Sequence, residues 1–202
     1  MKYLLISLLF LAGQSLNLHA QFFDSSSLPI VVITTNDGIP VPDEPKIDAH
    51  LGIIWNGDGA INHLGDPFNE YDGRIAIEIR GSSSQMFLKN NYALETRDED
   101  GSGNNVSIFG FPAENDWVLH GPYSDKSLMR NALAYTLAGW LMDYAPRVRF
   151  CEVVLNGQYN GVYVFTEKIK RDAGRVNISE LHPDETTGGD VTGGYILKFD
   201  KW

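Results

Sequence analysis

Residues 74–80 read Arg-Ile-Ala-Ile-Glu-Ile-Arg, with isoleucine at 75, 77 and 79 set between Ala76, Glu78 and Arg80. A period of two gives a strand one dry face and one wet one, and no helix can satisfy it. The same grammar recurs along the chain. The β-branched run Leu28 to Thr35 stops at Asn36-Asp37-Gly38, and Lys46 to Trp55 alternates until Asn56-Gly57-Asp58-Gly59. Asn91 to Arg97 reads as a further strand after the break Gly81 to Ser84. Arg149 to Leu155 and Tyr159 to Lys168 flank Asn156-Gly157, a pair suited to a tight hairpin because both turn positions need positive φ. Short turns between successive strands predict antiparallel neighbours, with a last strand over residues 195–200.

One segment obeys a different period. Met129, Leu133, Leu137, Trp140, Leu141 and Tyr144 recur at helical spacing after Ser124 or Asp125, either of which can accept a bond from the free amides of a first turn. Pro146 ends the pattern. The spacing predicts one helix over 127–144 that buries this stripe. The expected class is therefore α+β, with one main helix packed on a mostly antiparallel sheet.

Composition excludes several functions. The chain has 202 residues, 43% hydrophobic, and a single cysteine, so neither a disulfide framework nor a thiolate zinc cluster is available. Its 16 basic against 26 acidic residues give a net charge of −10, which argues against nucleic acid as a partner. Met1-Lys2, the apolar run 3–12 and the close at His19-Ala20-Gln21 read as a signal peptide over residues 1–20. The run is shorter than the roughly 20 residues of a spanning helix, so the product is expected to be secreted, periplasmic or at the cell surface, with no membrane span. Residues 21–45 are then an extended segment carrying a first strand, and 46–202 the main folded unit.

Among chemical groups, His50, His63, His120 and His182 show no metal-ligating spacing. Cys151 reads as a buried, inert thiol within a strand. Asp98 to Gly103 resembles the first half of a calcium loop, but Phe109 stands where a bidentate glutamate should close it, so a hairpin turn is expected. Arg80-Gly81-Ser82-Ser83-Ser84 at a strand end is either an anion site of guanidinium, hydroxyls and backbone amides or a plain β-turn. Lys89 would add a cation there. Arg130 either points to the same spot or pairs with an acidic neighbour, and Glu167-Lys168 reads as edge charge or as part of the site. Trp55, Phe68 and Tyr71 are candidates either for core packing or for an exposed platform.

These motifs form a series in fixed order. Arg80 to Gln85, Lys89 with Tyr92 to Asp98, Glu114 to Leu119, Asp125 to Asn131, Leu155 to Tyr163 with Glu167-Lys168, and Gly193-Gly194-Tyr195-Ile196 together resemble the CotH family of spore coat protein H-like atypical protein kinases. The resemblance implies the β-rich small lobe of a divergent protein-kinase-like fold. It also implies binding of ATP and Mg2+ and phosphorylation of Ser or Thr on a protein substrate. By resemblance, Lys89 contacts phosphate, Arg80 and Arg130 support it, and Ser82 and Glu167 complete the nucleotide side. The family's catalytic base and metal-binding residues lie in a larger lobe beyond the Gly-Gly-Tyr-Ile step. The resemblance thus implies no catalytic residue within residues 1–202 and no turnover by this chain alone. The contrasting expectation is a secreted, non-catalytic module that binds a protein or glycan.

Overall fold

The computed structural model describes residues 23–189 and 191–197. The expected signal peptide lies outside them, as do residues 198–200 of the last expected strand, whose described part, 195–197, is not a strand. In chain order the described elements are β1 (Ser25–Ser26), β2 (Ile30–Thr35), β3 (Ile47–Ile54), β4 (Asn62–His63), β5 (Tyr71–Arg80), β6 (Asn91–Arg97), β7 (Asp116–His120), α1 (Arg130–Gly139), β8 (Val148–Leu155) and β9 (Gln158–Glu167).

Seven of these strands close into a barrel in the order β2-β3-β5-β6-β7-β9-β8, while β1 and β4 pair outside it. The kinase-like small lobe with a helix packed on a sheet is therefore not what forms. The class is α+β, but the architecture is a closed barrel with one α-helix among the described residues. Local turn signals predict the antiparallel neighbours correctly; closure comes from a parallel pairing of β2 with β8, from Ile30 opposite Glu152 to Ile33 opposite Leu155. Parallel partners far apart in sequence leave no turn to read. The Asn156-Gly157 hairpin turn fastens this seam. Asn156 Oδ1 accepts from the Thr35 amide at 2.9 Å, and its Nδ2 donates to Thr35 Oγ1 at 2.9 Å.

Closure leaves one dry side, and every stave points alternate residues into it. Val31 and Ile33, Leu51 and Ile53, Ile75 and Ile77, Tyr92 and Leu94, Trp117 and Leu119, Cys151 and Val153, and Tyr163 and Phe165 form one continuous core. Ile79 packs against it from the end of β5, as the alternation at 74–80 predicts. Cys151 is fully buried, and burial pushes its thiol well above the ordinary range. A smaller apolar cluster lies on the other side of the wall, where Phe23, Val32 and Phe68 cover Ile30, Ile54 and Val154. Gly52 permits that cover, since a Cβ there would meet the Phe68 ring at 2.5 Å.

The helix departs from expectation in length and orientation. It runs Arg130–Gly139 rather than 127–144, and of its residues only Ala132 is buried. The stripe meant for the core faces outward: Leu133 is 54% exposed, Trp140 76% and Leu141 86%. The barrel interior is already filled by the staves, so α1 lies outside and turns its small and polar residues toward the wall. Asp125 begins it, with Oδ2 accepting from the Arg130 amide at 2.8 Å and Oδ1 from the Ser127 amide at 3.0 Å. The loop after Arg97 forms the expected turn, held by Asp98 O accepting from the Gly101 amide and by Asp100 Oδ1 accepting from Ser102. No helix among the described residues is long and apolar enough to cross a membrane.

Candidate functional site

A cleft of about 310 Å³ opens on the outer wall of the barrel, lined by Arg80, Gly81 and Ser84 of the β5–β6 turn, Asn91 of β6, Val118 and His120 of β7, Asn131 and Tyr135 of α1, and Val164 and Thr166 of β9. Register brings these together. Arg80 is opposite Asn91, and His120 is opposite Val164, all on positions alternate to the core series. Gly81 is required at the turn, because its φ is +111° and a Cβ would meet Ser84 Oγ at 2.1 Å.

Hydrogen bonds fix the state of His120. Asn91 Oδ1 is only an acceptor and lies 2.9 Å from Nδ1, while the Asn131 amide nitrogen lies 3.1 Å from Nε2. The ring therefore carries its proton on Nδ1 and accepts from Asn131 on Nε2. Burial, with Arg80 and Lys89 nearby, holds its pKa below the ordinary 6.5 against the pull of Asp125, so it is neutral at neutral pH. Arg80 makes no ion pair among the described residues, whereas Lys46, Arg74, Arg97, Arg130, Arg147, Arg149, Lys168, Lys170, Arg171 and Arg175 each face a carboxylate. The cleft thus joins one uncommitted guanidinium to a hydroxyl and two amides, donors matched to a phosphate or another oxyanion, beside an imidazole whose one N–H is already given to Asn91.

Of the candidate site residues singled out in the sequence, Arg80 lines this cleft together with Gly81 and Ser84 of its turn, and Ser82, Lys89, Arg130 and Glu167 do not. Ser82 precedes the 3-10 turn Ser83–Met86, and Ser84 supplies the hydroxyl instead. Lys89 crosses the barrel mouth, donating to Val162 O at 2.5 Å with its ammonium 4.4 Å from the Tyr163 ring centre. Burial pulls its pKa below the usual lysine value. Arg130 points outward with its side chain 79% exposed and pairs with Asp125 at 3.6 Å, the second of its two expected positions.

Glu167 falls on the inward series of β9 at the far end of the barrel, so its side chain is completely buried. It accepts from Arg147 Nη1 and from the Arg147 amide, each at 2.9 Å. Nearby, the equally buried Arg175 lies over Trp117, sits 3.2 Å from Glu114, and donates to the carbonyls of Lys168 and Asp116. This network fastens residues 168–175 to the barrel. Of the three aromatic candidates, Phe68 and Tyr71 serve packing, and Trp55 lies beneath Arg149 with 4.9 Å between guanidinium and ring.

Tyr135 escaped the sequence reading, His120 entered it only as a histidine without metal-ligating spacing, and Asn131 only as the last residue of the Asp125 to Asn131 motif. Asn131 follows Arg130 directly, and the helical period puts it on the face opposite the apolar stripe, which was the available signal. His120 gives no such sign, since its role depends on β7 lying between β6 and β9.

No curated protein matches the chain. The CotH kinase protein family model matches residues 77–201, a span that holds every residue of the cleft from Arg80 to Thr166. That match takes in more than half of the chain, which belongs to the CotH kinase family.

Proposed function

We propose that this chain is the nucleotide-holding part of an exported CotH-type protein kinase, and that the Arg80 cleft grips the phosphates of ATP for transfer to Ser or Thr of a protein substrate. The carrying observation is the Arg80 guanidinium beside Ser84, Asn91 and His120, without an ion pair among the described residues, most of whose other cations face a carboxylate. Phosphoryl transfer depends on positioning and on countering phosphate charge, and this donor set does both for a bound triphosphate. Arg80 orients the anion through its fork of N–H groups, and the Gly81 turn keeps Ser84 beside it. Mg2+ does not fit this cleft, whose described lining carries no carboxylate to hold it.

Titration calorimetry of the full chain with ATP, beside Arg80→Ala, tests this reading. Loss of a charge-assisted contact worth about 1.5–3 kcal/mol weakens binding about tenfold or more. Equal ATP affinity in the two proteins, or no binding by either, overturns it. Binding is also expected to tighten as pH falls through the range where His120 takes a proton, because an imidazolium adds a donor and a charge beside the phosphate.

A further inference from the structure

The barrel end where β3 stops and β2 and β8 start holds a separate pocket, of about 330 Å³, which shares no residue with the Arg80 cleft. Leu28, Pro29, Phe111, Val148 and Phe150 give it apolar walls, and Arg149 and Asp58 are the charged residues among those that line it. Arg149 stands two residues before the buried Cys151 on β8, so period two aims it over the barrel end. Two rings hold it there. Its guanidinium carbon lies 4.9 Å from the ring centre of Trp55 and 5.6 Å from that of Phe109. Rings take the face of a guanidinium and leave its N–H groups for acceptors in the plane. Phe109 adopts φ +56°, a left-handed backbone unfavourable for a bulky residue, and the Glu70 carboxylate fastens it by accepting from its amide. Strain of this kind gathers at ligand clamps.

Asp58 shows what Arg149 accepts. Its Oδ1 takes a bond from Arg149 Nη1 at 3.1 Å, and no other carboxylate pairs with that guanidinium among the described residues. Yet the Asp58 side chain is 87% exposed, and only adjoining residues lie within 4 Å of where a Cβ would stand at Gly57 or Gly59. An ion pair so exposed is weak. A carboxylate carried on a larger body takes the same place and gains the walls as well. A peptide strand finds no ladder to join here. The Leu28 amide donates to Ser26 Oγ, the Leu28 carbonyl accepts from Asn62, the Pro29 carbonyl accepts from the Glu152 amide, and proline has no N–H. The volume is near the lower bound of small-molecule sites and suits a single ring. Ser27 at the exposed rim offers a hydroxyl to match those of a sugar.

We propose that this pocket binds an acidic sugar of the uronate class, its carboxylate displacing Asp58 from Arg149 and its C–H groups lying on Pro29, Phe111 and Phe150. The site is independent of the phosphate reading of the Arg80 cleft. The net charge of the chain opposes an anion only weakly here, because salt screens charges further than about 8 Å away.

The test titrates the full chain with glucuronate, glucose, acetate and tetraglutamate by ligand-observed NMR, and repeats the glucuronate series in Asp58→Asn and Arg149→Lys. The expected result is millimolar binding of glucuronate, with glucose, acetate and tetraglutamate each about tenfold weaker or more. Asp58→Asn removes the competing charge and binds glucuronate about twofold to fivefold tighter, the worth of an exposed ion pair. A purely structural Asp58 gives no such gain. Arg149→Lys keeps the charge without the fork and loses about tenfold. Should that variant fail to fold, Asp58→Asn decides alone, since its side chain stands in water. No binding of glucuronate by the wild type, equal binding of glucose or acetate, or no gain in Asp58→Asn overturns the inference. Tighter binding of tetraglutamate than of glucuronate overturns it too, in favour of an acidic peptide.

Discussion

The barrel wall and the helix laid against it both alternate apolar with polar residues, but only the wall buries the apolar set. Ile75, Ile77, Leu94, Trp117 and Phe165 are at most 1% exposed, whereas Leu133 and Leu137 on α1 are 54% and 41% exposed. A closed barrel has a single interior, and a strand shifted by one residue would turn all its isoleucines to water. Orientation is thereby forced. A helix outside the barrel meets no such demand; a carboxylate at its start, a buried Ala132 and the His120–Asn131 contact hold α1 in place. The wall owes its stability to area removed from water, about 1.5–3 kcal/mol for each large side chain, and the helix owes little to it.

The sharpest way to break this contrast is to cut the wall. Trp117→Ala removes a fully buried ring that packs on Phe165 at 5.3 Å and lies under Arg175, and it is expected to lower stability by about 3–5 kcal/mol in chemical denaturation. A loss below about 1 kcal/mol would mean that the interior is loosely packed. Next comes the charge network at the barrel end. Glu167→Gln keeps the shape but leaves buried Arg175 and the Arg147 contact short of a negative charge, for an expected loss of about 3 kcal/mol by the same measurement. A neutral result there would show that Glu114 alone suffices for Arg175.

Acid pH separates the same two regions by a smaller effect. Burial pushes the Asp116 carboxyl upward, but hydrogen bonds from Lys170 and Lys168 outweigh it, and its pKa lies below the ordinary 3.8. A folded value under the unfolded one gives stability that is complete above the unfolded pKa and is lost as pH falls through the folded one. The melting temperature is therefore expected to hold until about pH 4 and to decline below it. In Asp116→Asn that part of the decline is expected to disappear. Parallel pH profiles for the two proteins would instead assign the acid sensitivity to other carboxylates.

What could be read from the sequence followed the range of the interaction that decides each feature. Ile75 and Ile77 face inward because period two is local and closure confirms it, and the β8–β9 hairpin was legible because Asn156-Gly157 states its own turn. The β2–β8 seam joins residues more than a hundred positions apart, so no local pattern announced a barrel. The same limit governs the cleft. Arg80 and its Gly-Ser turn are a local unit and were found; Asn91, His120 and Tyr135 reach the cleft from three other elements and were not. Glu167 was misplaced because its burial depends on being the last inward position of β9, beside an arginine eight residues later.

The helix supplies the smallest effect and the most direct check on the contrast. If the outward stripe of α1 stands about half in water as the structure has it, Leu133→Ala and Leu137→Gln remove surface that is only partly dried, and each changes stability by no more than about 1 kcal/mol. Helix propensity acts in the same small range, since alanine and glutamine are both good helix formers. The pair is measured by denaturation at two protein concentrations. Equal, small effects at both would place α1's apolar face in water. A loss of about 2 kcal/mol or more, growing with concentration, would show that copies of the chain cover this face for one another, and the difference between wall and helix would then be one of partner rather than of burial.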